Sequence, residues 1–270
     1  MTVVMMLALQ AAATVGVQPD PCRALPPPPK IVVDYMAAAA RAKAANSTPP
    51  PPSAEGIAIY TAWQQQLTLA DFPGLCRYRA ANAALPKATR DRVVFFGDSI
   101  TEFWSQKQPG FFAGDLVNRG ISGQTTTQML GRFRADVIAL RPRVVHIMAG
   151  TNDIAGNTGP TTLDAIVANI ETMADLARAH HIRVVIGSVL PARRFDWRPA
   201  IDPVAAIADL NVALRALAAR RGLAYADYYA ALDDGGHGLS ATNAQDGVHP
   251  TAAGYAVMQP IAQRALAAAR

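Results

Sequence analysis

Apolar residues along this chain fall into two kinds of run. Five short, nearly uninterrupted stretches, Val93–Phe96, Leu116–Asn118, Val144–Met148, Val184–Val189 and Leu223–Ala226, read as strands buried on both faces. Between them apolar positions recur at helical spacing. Thr162 to His180 carries Ile166, Ile170, Met173 and Leu176 on one stripe, and Pro203 to Arg221 carries Ile207, Leu210, Leu214 and Leu217. Thr126 to Leu140 and Ala252 to Ala269 read as two further helices. Strand and helix alternate from Asp91 onward. That alternation predicts an α/β fold in three layers, α/β/α, with a parallel sheet covered by helices on both sides.

The pattern upstream is different. Two proline runs, Pro26–Pro29 and Pro49–Pro52, favour extended, solvated chain. An Ala-rich helix is expected between them, over Tyr35 to Asn46, and a second over Ala54 to Leu69. Residues 21–90 therefore read as a Pro/Ala-rich helical extension and residues 91–270 as the chemical domain. The first 20 residues hold an apolar run followed by small residues near Ala13, the pattern of an export signal. No Lys or Arg precedes Arg23, a departure from the usual form. The expectation is an exported protein, periplasmic or secreted. The run is too short to span a bilayer, and no stable membrane insertion is expected. If the chain is exported, Cys22 and Cys76 can pair and tether the extension to the core; the other reading is two separate thiols.

Composition narrows the partners. The 270 residues are 51% hydrophobic and 17% charged, with a net charge of +5. Lysine occurs only at Lys30, Lys43, Lys87 and Lys107, and the arginines are scattered. There is no basic run and no basic stripe interleaved with aromatics, so nucleic acid is not an expected partner. Neither cysteine lies near a histidine cluster, and no metal site is expected.

The chemistry concentrates in four short blocks. Gly97-Asp98-Ser99-Ile100-Thr101 follows the first buried strand, where a polar loop can present a serine at the strand's carboxyl end. Gly120-Ile121-Ser122-Gly123-Gln124-Thr125, Gly150-Thr151-Asn152-Asp153 and Asp246-Gly247-Val248-His249-Pro250 follow in order. A serine hydroxyl needs an adjacent base to become a nucleophile. Ser99 is the candidate nucleophile, His249 the base and Asp246 the carboxylate that orients it. Gly247 permits the tight turn that brings Asp246 back to His249. Ser99 is not in a G-x-S-x-G elbow, because Thr101 takes the last position, which argues against an α/β-hydrolase.

With these four blocks in this order, residues 91–269 resemble the SGNH (GDSL-type) hydrolase family of esterases and lipases. The resemblance implies a flavodoxin-like parallel sheet, the SGNH hydrolase fold. It also implies an oxyanion hole made by the backbone N–H groups of Ser99 and Gly123 and the side-chain amide of Asn152. The chemistry it implies needs no metal or organic cofactor. The implied activity is hydrolysis of carboxylic esters through an acyl-enzyme. A small-molecule or polysaccharide acyl ester is the implied substrate, with short acyl chains because no long apolar lid is evident.

Other residues are read against this set. Asp98 and Asp153 read as loop ties, His146 as a core histidine, and His180 and His181 as a helix end. His237 is the one rival base. Phe103, Trp104, Arg193 and Trp197 are candidates for the substrate wall, with simple surface packing as the other reading. Two different functions stay open: an O-acyltransferase that passes the acyl group to a polysaccharide, and a carbohydrate-binding module without turnover.

Overall fold

A computed structural model describes residues 20–45, 47 and 50–269. The export signal expected over residues 1–20 falls, but for Asp20, outside the described residues. The chain divides into two compact units, with the boundary between Ala70 and Asp71.

The first unit holds a 3-10 turn at Pro21–Ala24 and two helices, α1 (Lys30–Ala44) and α2 (Ala54–Ala70), which pack on each other. Helix α1 starts directly after the first proline run, earlier than Tyr35, because Pro29 offers its carbonyl to the N–H groups of Val32 and Val33. The Trp63 indole N–H donates to the Pro26 carbonyl at 2.9 Å, which ties the proline run to α2.

The second unit begins at Asp71, so the stretch 71–90 goes with the sheet rather than with the helical extension. The reason is polar. Asn82 receives the Arg119 guanidinium at 2.7 Å and donates to the Asp136 carboxylate at 2.7 Å. After α3 (Arg79–Ala83), strands and helices alternate: β1 (Val93–Gly97), α4 (Ser99–Lys107), β2 (Leu116–Gly120), α5 (Thr126–Asp136), β3 (Val144–Met148), α6 (Thr151–Ile154), α7 (Leu163–Ala179), β4 (Arg183–Gly187), α8 (Val204–Arg221), β5 (Ala224–Ala226), α9 (Tyr228–Leu232) and α10 (Ala252–Ala268). The five strands are parallel in the order β2-β1-β3-β4-β5.

Alternate residues of each strand feed two cores, as the two-residue period requires. Val94, Phe96, Val145 and Ile147 pack with α5, α7 and α8. Val93, Phe95, Val144 and Val185 pack with α4, α9 and α10. This is the three-layer α/β/α architecture. The expected helix over Thr126 to Leu140 is shorter. It ends at Asp136, and a separate 3-10 turn, Ile138–Leu140, lets Val137 and Leu140 both reach the core. The chain turns one way from β1 to β2 and the other way from β3 to β4. The β1/β3 junction is therefore the switch point where such sheets bind ligands.

Candidate active site

Ser99 stands at the carboxyl end of β1, but it does not sit in a loop. It is the first residue of α4, and Asp98 is the cap, its carboxylate accepting the Ile100 N–H at 2.9 Å. A first-turn N–H has no partner within its own helix. The Ser99 amide therefore has no acceptor within α4, and the positive end of the helix dipole lies at this residue. The sequence signal for this helix is short: only Ile100 and Trp104, four residues apart, share its buried face.

The partners of Ser99 come from the far end of the chain. Asp246 folds a turn onto itself, its Oδ1 accepting the N–H groups of Val248 at 3.0 Å and His249 at 2.8 Å. Its Oδ2 lies 2.7 Å from His249 Nδ1, and His249 Nε2 lies 2.9 Å from the Ser99 hydroxyl. The carboxylate can only accept, so Nδ1 carries the proton and Nε2 is left to accept from the serine. Partial burial would raise the Asp246 pKa. The bonds from the His249 ring and from the two backbone N–H groups more than offset this and hold it well below the usual carboxylate range. Asp246 is thus ionised in the way an orienting carboxylate must be.

The loop after β2 supplies the second wall. Gly120 lies so close to α4 that a Cβ there would stand 2.2 Å from the Glu102 amide nitrogen. Gly123 has φ +78°, in the left-handed region, and a Cβ would meet only Asn157 Nδ2 at 3.9 Å. The loop is held on each side. The Tyr78 hydroxyl donates to the Gly120 carbonyl, Ile121 N–H donates to Gly97 at 3.0 Å, and Ser122 donates through N–H and hydroxyl to Glu102 Oε2.

Asn152 comes from α6, the one-turn helix after β3, and is buried. Its amide donates to the Gln124 carbonyl at 3.1 Å and to the Asp98 carboxylate at 3.3 Å, and its carbonyl accepts from Asn157 at 2.8 Å. Asp98 is pushed up to about 6 by burial, against the pull of the Ile100 N–H and of His249. Asp153 is also raised by burial. It ties α6 to α5 by accepting the N–H and hydroxyl of Thr126 at 3.0 and 2.6 Å.

The four wall candidates separate. Phe103 and Trp197 flank the base, with ring centroids 5.4 and 6.5 Å from that of His249. Trp197 stacks on Phe195 and is 41% exposed. Trp104 is fully buried in the second core, stacked on Phe111 and Tyr255, so it lines no substrate surface. It lies one residue from Phe103, and that step turns it to the sheet side of α4. The Arg193 guanidinium is committed to the Gly236 carbonyl and the Asp234 carboxylate, which makes it a brace for the glycine-rich loop.

His237 meets Tyr229 at 3.1 Å, not Ser99. His146 is in the core beside Tyr228, and burial holds it down to about 3. Glu102, Arg132 and Asn157 lie outside the four sequence blocks, and Gln124 lies in the second of them with no role legible from sequence. Their roles follow from contacts between distant blocks.

The sequence model of the GDSL-like lipase/acylhydrolase family matches residues 95–257. A GDSL-like lipase structure from Bacteroides thetaiotaomicron is 42% identical, covering 74% of this chain and all of that one, with a TM-score of 0.71. A proposed acylhydrolase from Bacteroides fragilis is 44% identical, covering 73% of this chain and 97% of its own, also with a TM-score of 0.71. An acetylxylan esterase from Geobacillus stearothermophilus is 32% identical over 88 residues, which is 24% of this chain and 40% of that enzyme. The chain spans well under half the length of the curated relatives it matches, 33% and 40%.

Proposed function

The chain belongs to the GDSL-like lipase/acylhydrolase family, and on that footing we propose that it is an ester hydrolase that cleaves short-chain carboxylic esters through a serine acyl-enzyme. The observation that carries the reading is the continuous relay Ser99–His249–Asp246, at 2.9 and 2.7 Å.

Ser99 attacks the ester carbonyl while His249 Nε2 takes its proton. The carbonyl oxygen becomes an oxyanion between the backbone N–H groups of Ser99 and Gly123 and the Asn152 amide. Of the two Asn152 N–H bonds, the one to Asp98 is the longer, at 3.3 Å, and is the one an oxyanion displaces. The tetrahedral adduct collapses, the C–O bond to the alcohol breaks, and the imidazolium protonates the departing alkoxide. Water then attacks the acyl-Ser99 with His249 again as base. Proton transfer returns Ser99 and releases the acid. Asp246 stays ionised throughout and stabilises the imidazolium.

Phe103 and Trp197 form the aromatic walls of the leaving-group side in this reading. The acetylxylan esterase among the relatives supports an acetylated sugar as one substrate class. Export is part of the proposal, supported by the apolar N-terminal run and by a Bacillus subtilis relative named as a lipoprotein. Hydrolysis of p-nitrophenyl esters from acetate to decanoate, with and without a xylo-oligosaccharide acceptor, tests the reading. The expected rate falls as the chain lengthens, with free acid as the product. Acyl-sugar as the main product would favour the transferase. Sugar binding without any turnover would favour the binding module.

A further inference from the structure

The sequence blocks leave one residue unassigned that touches both sides of the proposed oxyanion hole. Asn157 lies beyond α6. Its Nδ2 donates to the Asn152 side-chain oxygen at 2.8 Å and to the Gly123 carbonyl at 3.1 Å. Its Oδ1 accepts the Trp197 indole N–H at 3.1 Å. Three segments that are distant in sequence meet at this one amide.

Hydrogen-bond polarity makes the arrangement directional. An indole N–H can only donate, so Asn157 must present its oxygen to Trp197. Its NH₂ then faces the other way, toward the Gly123 carbonyl, which can only accept. Asn152 must in turn present its oxygen to Asn157. Its own NH₂ is thereby left facing Gln124, Asp98 and the Ser99 site. A reversed Asn152 amide would set NH₂ against NH₂ at 2.8 Å and its oxygen against the Gln124 carbonyl and the Asp98 carboxylate. The donor side of Asn152 is thus set by a chain that starts at an exposed tryptophan 6.5 Å from the base.

We infer that Asn157 is a positioning residue that sets the amide of Asn152 and the peptide of Gly123, with the Trp197 indole holding Asn157 in place. The inference rests on the serine-esterase reading for its effect on rate, but not for its effect on structure. A misplacement of about 1 Å at such a site costs roughly 100-fold in rate. The aromatic wall and the oxyanion donors then form one mechanical unit: a leaving group that moves Trp197 also moves the donors.

The test compares wild type with Asn157→Asp, Asn157→Ala and Trp197→Phe. Asn157→Asp is the same size but sets a carboxylate against the Asn152 and Gly123 oxygens. On p-nitrophenyl acetate, kcat is expected to fall about 10- to 100-fold in Asn157→Asp, with KM within about 2-fold. Affinity for phenylboronic acid, which forms a tetrahedral adduct with an active serine, should fall by a similar factor. Trp197→Phe keeps an aromatic wall but loses the N–H, and a smaller fall in kcat is expected.

Crystal structures of the two Asn157 variants are read independently of turnover. The Gly123 carbonyl should move out of hydrogen-bond range of residue 157, beyond about 3.5 Å, in Asn157→Asp. An unchanged kcat in an active enzyme, or unmoved Gly123 and Asn152 in the crystals, overturns the inference. A wild type without turnover strikes the esterase reading instead, and the crystals still decide the positioning role.

Discussion

Arg132 Nη2 donates to the carbonyl oxygen of Gly97 at 3.0 Å, immediately before the aspartate that caps the Ser99 helix. The same guanidinium donates to Gln124 Oε1 at 2.6 Å, to the Arg119 carbonyl at 2.9 Å and to Asp136 at 3.0 Å, and it lies over the Phe96 ring. One fully buried cation therefore joins the strand that leads into the Ser99 helix to the loop that carries Gly123. Removing it strands the Asp136 carboxylate in the core. Arg132→Met is expected to cost about 3–5 kcal/mol in urea unfolding. The double variant Arg132→Met/Asp136→Leu should recover part of that loss. No recovery would show that the anchoring bonds, rather than the stranded charge, dominate.

Asp246→Asn tests the orienting carboxylate. The asparagine keeps the shape but can present an N–H to His249 Nδ1, which favours the wrong tautomer. The rate on p-nitrophenyl acetate should fall about 10⁴-fold with little change in KM. A loss under tenfold would mean that Asp246 only shapes the turn.

Gly123→Ala separates backbone from bulk. The space a methyl would occupy is open, so any penalty comes from φ +78°. Urea unfolding should show about 1–2 kcal/mol lost. Gly123→Asn should lose less, because asparagine tolerates the left-handed region better. Equal losses would point to a cause other than the backbone angle.

His146 predicts acid sensitivity. Burial holds it down to about 3, against 6.5 for an exposed histidine. Between those values the unfolded chain binds the extra proton. This contribution to stability is complete above about 6.5 and is lost progressively as the pH falls toward about 3. Asp98 works in the opposite sense. Burial raises it from 3.8 to about 6, so acidification through that window favours the folded state. Urea midpoints at pH 7, 5.5 and 4.5 isolate the histidine. His146→Leu should be less stable at pH 7, having removed the partner of the Tyr228 hydroxyl. Its further loss on acidification should be smaller than in wild type. Parallel curves would contradict the assignment.

Much of the fold is legible because its strands are short and apolar on both faces. Val93–Phe96 and Val144–Met148 read as buried strands from composition alone, and Ile166, Ile170 and Met173 mark their helix by spacing. Helix α4 is harder to read: Gly97 and Asp98 look like a turn, and only Ile100 and Trp104 mark its buried stripe. The relay is legible because Asp246 and His249 are three residues apart and Ser99 follows a strand. The supports are not, because each bridges blocks far apart in sequence. Glu102 holds Ser122 across 20 residues, and Trp197 reaches Asn157 across 40. Adjacent helical positions face different ways, and no local pattern says which of Phe103 and Trp104 meets solvent. Arg193 has no local signal either, since its partner Asp234 lies 41 residues away.

The most direct test of the central claim is hydrolysis of p-nitrophenyl acetate by purified wild-type protein beside Ser99→Ala, with the two matched for folding by thermal melting. The account predicts turnover in the wild type that falls at least about 10³-fold in Ser99→Ala. Equal turnover in both proteins would contradict Ser99 as the nucleophile, whatever the family.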